Sequence, residues 1–235
     1  MEIIRKANEE MSFIGMVDVS LANAIRRSVG EIPILAIDEC DIYKNDSALY
    51  DEIIAHRLGL VSLKNQKMRE GQCIEIKMKA RGVGNGTEIL AGLLGDNVVY
   101  PETPVVLLGE KQEIELVARA RAGKGNKHAK FMPGVIFYKH LPKIKISSEG
   151  EKHSVLAELY PNVFEIFGNK LGIKDVVARD LDNEDMKNYP GISIEFGSDL
   201  IFTIESWGQI EARDIFIEAC KSLKENLLDV LKRVK

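Results

Sequence analysis

The chain is 235 residues long, 45% apolar and 29% charged, with a formal net charge of -4. That balance is ordinary for a globular protein able to bury a core without metals or disulfides, and it argues against a protein that coats nucleic acid by bulk charge. Cys40, Cys73 and Cys220 lie far apart without the short spacing of a zinc or iron–sulfur site, the start lacks a signal-peptide core, and no apolar run approaches the roughly 20 residues of a membrane span. A soluble, cytoplasmic chain with reduced thiols is expected.

Residues 13–17 predict a short buried strand, and Asp18 or Ser20 caps the helix that follows. Leu21, Ala24, Ile25 and Ser28 recur at helical spacing, with Arg26 and Arg27 beside that face. Gly30 is expected to end the helix in a left-handed conformation, and Pro33 prevents its resumption. A helix of two turns is too short to stand alone, so it needs a neighbour. Residues 34–43 predict a strand. Residues 47–58 predict a second helix, capped by Ser47 or Asp46 and stopped by Gly59. Its acids, Asp51 and Glu52, precede its bases, His56 and Arg57, as the helix dipole favours.

Residues 73–80 alternate: Ile74, Ile76, Met78 and Ala80 on one face, Glu75, Lys77 and Lys79 on the other, which is a half-buried strand. Gly82, Gly84 and Gly86 make residues 81–87 a loop. Further strands are predicted over 88–94, 105–108, 113–121 and 131–140, punctuated by Pro101, Pro104, Pro133 and Pro142. Residues 161–190 read as short helices or irregular structure, with an acidic patch at Asp180, Asp182, Glu184 and Asp185. Residues 200–205 predict a strand, Ser206-Trp207-Gly208 a turn, and 211–234 the longest helix. In that helix Phe216, Cys220, Leu223, Leu227, Leu231 and Val234 form one apolar stripe, which Leu228 and Val230 widen. An internal neighbour and a partner chain are equally good readings of so wide a face.

The chemistry in the residues is sparse. The run Arg119-Ala-Arg121-Ala-Gly123-Lys124-Gly125-Asn126-Lys127-His128-Ala129-Lys130 admits phosphate or nucleic-acid binding, but it lacks Walker A spacing and interleaved aromatics. A solvated turn between two strands, or a contact to an acidic protein, is the better account of it. Arg26 and Arg27 read first as ordinary solvated charge, with pairing to a partner's carboxylate as the alternative. His56 has no nucleophile or acid partner in a motif, and Asp38, Glu39, Asp41 and Asp46 have poor geometry for magnesium on a strand. No nucleophile, cofactor or metal signature emerges, so the residues alone suggest an interaction protein.

Five blocks in order then resemble one family. They are Leu-Ala-Asn-Ala-Ile-Arg-Arg at 21–27, residues 51–63, Tyr100-Pro-Glu-Thr-Pro104, residues 118–134, and Phe202-Thr-Ile-Glu-Ser206 with the terminal helix. Together they resemble the alpha-like subunits of cellular RNA polymerases, most closely the archaeal D branch. The resemblance implies an α+β fold. A discontinuous dimerisation domain (1–40 and 191–235), an antiparallel sheet with two packed helices, would be interrupted by a mostly β insert domain (41–160). Residues 161–190 would be a reduced remnant at the place where many D subunits hold an iron–sulfur domain. Without cysteine there, no cluster is expected, and no cofactor is implied for this chain. The resemblance further implies a non-catalytic subunit of DNA-directed RNA polymerase that pairs with subunit L. Leu21, Ala24, Ile25, Phe216, Cys220, Leu223, Leu227 and Leu231 would form that interface. The pair would be the platform for subunits N and P and the two large subunits, contacted through Arg26, Arg27, His56, Arg57, Lys124 and Lys127. DNA would be met only through the assembled complex, and the catalytic magnesium would belong to the largest subunit.

Overall fold

A computed structural model describes residues 2–66, 68, 72–84, 86–178 and 181–234. Strands β1 (Glu2–Lys6) and β2 (Glu10–Gly15) open the chain, followed by helix α1 (Val19–Ser28). Asp18 is the cap: its Oδ1 accepts the Ser20 backbone N–H at 2.7 Å, which holds the carboxyl below its usual range. Gly30 does not turn left-handed. The helix instead tightens into a 3-10 turn, Val29–Glu31, and Ile32 leaves it extended. The Ile32 N–H donates to the Val29 carbonyl, and the Asn126 N–H donates to that of Gly30, so no glycine cap is needed.

Strand β3 (Ile34–Asn45) runs slightly longer than predicted. Helix α2 (Asp51–Gly59) starts four residues later than predicted, without a side-chain cap. Ser47 donates to Asn45 Oδ1 at 2.6 Å, and Asn45 Nδ2 donates to the Leu49 carbonyl and to Asp51, so a polar turn holds this stretch out of the helix. Strand β4 (Ile74–Arg81) keeps the predicted alternation, with Ile76 and Met78 buried. The strand expected over 88–94 is half strand: β5 (Thr87–Leu90) gives way to a 3-10 turn, Ala91–Leu94. There the Ala91 and Gly92 N–H groups donate to the Thr103 and Pro101 carbonyls, and the chain bends against Pro101.

Strands β6 (Pro104–Leu108), β7 (Glu113–Gly123) and β8 (Gly134–Ile146) follow. The predicted strand at 131–140 thus starts later, because Ala129–Phe131 is a 3-10 turn. After a short helix α3 (Val155–Leu159), residues 161–190 contain no helix among those described; the irregular chain expected is found from 174 onward, and the earlier part is ordered as strands. These form a hairpin, β9 (Phe164–Phe167) and β10 (Lys170–Ile173), turning at Gly168 with φ of +63°. The Gly-Asn pair at that turn is a hairpin signal that four-residue strands on either side obscure. Asp180 of the acidic patch lies outside the described residues. Asp182 accepts the N–H groups of Glu184 and Asp185, and Asn183 exchanges two hydrogen bonds of 2.9 Å with the Ile194 backbone. Strand β11 (Ile192–Ser206) and helix α4 (Ala212–Val234) complete the chain.

Two compact units divide it, each discontinuous in sequence. The smaller comprises Met1–Ile4, Ser12–Ala22 and Phe137–Thr203. Within it β1, β2, β11 and β8 lie in that order in one sheet. Phe13 stacks on Phe202 with centroids 5.1 Å apart, and Leu156, Phe164, Leu171, Leu181 and Met186 pack with Ile192 and Ile194. The larger comprises Arg5–Met11, Asn23–Ile136 and Ile204–Lys235. Its centre is the antiparallel sheet β3-β7-β4, covered by α2. Leu35, Ile37, Ile54, Leu58, Leu63, Met78, Leu108, Ile114 and Leu116 form its core. Mixed α and β structure with antiparallel pairing and few helices is therefore what the chain adopts.

Candidate partner interface

Helix α4 changes character along its length. Near its start Ala212, Ile215 and Ala219 are fully buried, and the helix packs there against the 3-10 turn Val29–Glu31. Residues 212, 215 and 219 share one face by helical spacing. They escaped the sequence reading because two are alanines, too small to register as an apolar stripe. The predicted stripe lies mostly elsewhere. Phe216, Cys220 and Leu223 are half-buried, and burial pushes the Cys220 thiol up. Beyond them Leu227 and Leu231 are each 57% exposed, and Leu228, Val230 and Val234 are open as well. No internal element covers the second half of this helix among the described residues.

In α1 the buried positions are Ala22, Ile25 and Ser28, whose hydroxyl donates to the Ala24 carbonyl at 2.9 Å. Ala24 is half-buried and Leu21 is 49% exposed. Ala22 was missed for the same reason as the alanines of α4. Arg26 is exposed and donates through Nε and Nη2 to Asn23 Oδ1. Arg27 is exposed without a side-chain partner among the described residues. His56 is likewise exposed and unpaired, whereas Arg57 donates to the Pro104 carbonyl at 3.1 Å.

The basic run at 119–130 is neutralised from within. The strand register sets Glu39 of β3 and Glu75 of β4 opposite Arg119 of β7. Arg119 also pairs with Asp41 at 2.5 Å, and Arg121 with Glu39 at 3.1 Å. Opposite charges facing across strands favour the pairing. Lys124 and Asn126 both donate to Glu31, at 3.1 and 3.0 Å. Lys130, with 14% of its side chain exposed, pairs with Asp38 at 2.7 Å, while His128 Nδ1 accepts the Lys130 backbone N–H. Lys127 alone of the loop's lysines has no ion pair among the described residues. The loop is thus an internal tie between β7, β3 and the turn after α1. Apart from Lys127, its charge is matched by the chain's own carboxylates, which weakens the case for nucleic-acid binding.

The same pairs dispose of the acidic candidates. Asp38, Glu39 and Asp41 face these cations, and Asp46 Oδ2 accepts the Glu113 N–H at 3.0 Å. Among the described residues no group of three or more His, Cys, Asp or Glu has the geometry to hold a metal, and no helix is long and apolar enough to cross a membrane.

Comparison with known proteins matches residues 13–227 to the family described as the RNA polymerase Rpb3/Rpb11 dimerisation domain. Three relatives named DNA-directed RNA polymerase subunit Rpo3 align over nearly the whole chain. That of Thermococcus kodakarensis is 34% identical, covering 94% of this chain and 92% of its own. The Methanothermobacter thermautotrophicus protein is 32% identical over 96% and 95%. The Archaeoglobus fulgidus protein is 31% identical over 100% and 97%. A family model spanning most of the chain, with full-length relatives above 30% identity, leaves one conclusion. The chain belongs to the RNA polymerase Rpb3/Rpb11 dimerisation-domain family, on the branch of the archaeal Rpo3, or D, subunits.

Proposed function

We propose that this chain is a non-catalytic subunit of a DNA-directed RNA polymerase that pairs with a small L-type subunit. The observation that carries the reading is the open apolar half of α4, from Leu227 to Val234, in a family described as a dimerisation domain. Leucines left more than half exposed along one helix face gain most by a second chain covering them. Leu223, Leu227 and Leu231 form the partner-facing edge. Phe216, Cys220, Ala24 and Ile25 support it closer to the core, and the exposed Leu21 is a further residue for the partner. The dimerisation domain comprises 1–40 and 191–235, with 41–160 as its insert. The pair is the platform for subunits N and P and the two large subunits, which supply the catalytic magnesium. Residues 161–190 hold no cysteine, so no iron–sulfur cluster is assigned to them.

Of the six residues considered for the large-subunit contact, Arg27, His56 and Lys127 are the best supported, because their side chains are exposed and uncommitted. Lys124, Arg26 and Arg57 already hold internal partners. The test is reconstitution. Leu223→Glu abolishes co-purification of the small subunit. Arg27→Ala leaves the heterodimer intact and weakens recruitment of a large subunit. Retained pairing in the first variant, or lost pairing in the second, refutes this division of roles.

A further inference from the structure

A cavity of about 460 Å³ opens in the smaller unit beside strands β8 and β11. It coincides with a break in a pattern. Along β11 the alternate side chains Ile192, Ile194, Leu200 and Phe202 are buried, as one inward row on a strand requires. Phe196 falls in the same row and is 55% exposed. Asn183 ties the covering segment to the Ile194 backbone, and the cavity lies beyond that tie, walled by Phe196, Pro142 and Leu181. Its wall is therefore mostly apolar, and the inner row of β11 is left uncovered there.

The unmatched charge at the cavity is negative. Asp182 and Asp185 line it and are exposed. Their hydrogen bonds are to backbone: Asp182 Oδ1 accepts the Glu184 and Asp185 N–H groups, and Asp185 Oδ2 accepts the Asp182 N–H at 2.9 Å. Neither meets a cation among the described residues. Lys139 also lines the cavity but is not free, and His140 Nδ1 donates to the Gly197 carbonyl at 2.9 Å. Lys143 lies where a side chain on Gly197 would point, one position on from Phe196, and so on the other face of the strand.

We propose that this cavity docks a segment of another polypeptide that carries large aliphatic side chains next to an arginine. The aliphatic groups cover Phe196 and Pro142 and complete the inner row, which takes apolar surface out of water. The guanidinium fork, always charged, answers Asp182 and Asp185. An acidic segment would set like charges together. The inference is independent of pairing through the open half of α4, which belongs to the larger unit.

The full chain is titrated into the labelled peptide BODIPY-Gly-Leu-Arg-Leu-Gly-amide and read by fluorescence anisotropy. Parallel titrations use glutamate in place of arginine, and alanine in place of both leucines. The first peptide gives a saturable rise, and the other two bind at least about tenfold more weakly. Joint replacement Asp182→Asn and Asp185→Asn keeps an acceptor oxygen for each backbone N–H and removes both charges. It weakens binding about tenfold and flattens its dependence on salt. Phe196→Ala, at an exposed position, weakens binding about as much and leaves thermal unfolding unchanged. Equal binding of the glutamate peptide, full affinity in Phe196→Ala, or no saturable response overturns the proposal. So does self-association of the full chain, read by sedimentation, that Phe196→Ala abolishes, because a second copy then fills the cavity. Pairing with the small subunit, measured on the same samples, tests the subunit role separately.

Discussion

Replacing Leu227 and Leu231 together by alanine separates a partner surface from an internal one. The two lie one turn apart on α4 and each is 57% exposed. Complete burial of a leucine side chain is worth about 1.5–3 kcal/mol, so the exposed share leaves roughly 1–1.7 kcal/mol per residue for a second chain to gain. Losing both costs association about 2–3 kcal/mol, roughly 30- to 150-fold in affinity. The isolated chain should scarcely notice, because alanine has the higher helix propensity and the leucines are largely open. Isothermal titration with the small subunit reads the first quantity, and thermal unfolding of the chain alone reads the second. Unchanged affinity with a midpoint lowered by several degrees refutes the reasoning, since the leucines would then serve the chain's own core.

Three further outcomes follow from other parts of the molecule. Gly208 has φ of +81°, and a Cβ there would stand 2.6 Å from both Tyr100 Oη and Val99 Cγ1. Gly208→Ala should therefore cost at least about 1–2 kcal/mol in a urea titration and shift Trp207 emission; an unchanged denaturation midpoint contradicts the packing described. Burial, then the nearby Asp41 and Asp51, push the Cys40 thiol up to about 11, whereas Cys73 is exposed. Iodoacetamide at pH 8 should label Cys73 well before Cys40, as read by mass spectrometry, and the reverse order rules out this account of their surroundings. The Lys44 ammonium holds the Glu113 carboxyl below its usual range, and Glu113 raises Lys44. Their contribution to stability is thus present at neutral pH, lost as the pH falls through the carboxylate range, and lost again as it rises through the lysine range. Glu113→Gln should flatten both limbs of the stability profile, which urea midpoints across pH will show.

Periodicity and family likeness settle different things from tertiary packing in this chain. The alternation of Ile74, Ile76 and Met78 with Glu75, Lys77 and Lys79 already determines a strand with one wet face, because side chains on a strand point alternately. The spacing of Phe216 through Val234 determines a long amphipathic helix for the same kind of reason. Five blocks in order determine the family, because each carries local geometry that a shared fold requires. What periodicity leaves open is which side of a helix is inside: in α4 the buried residues include Ala212 and Ala219, whose small side chains carry little hydrophobic signal. It leaves the basic loop open too, since Arg119, Lys124 and Lys130 find Asp41, Glu31 and Asp38 only across strands and turns nearly eighty or more residues away in the chain. Charge along a sequence states what a side chain can bind. Only the folded arrangement decides whether a partner within the chain has already taken it.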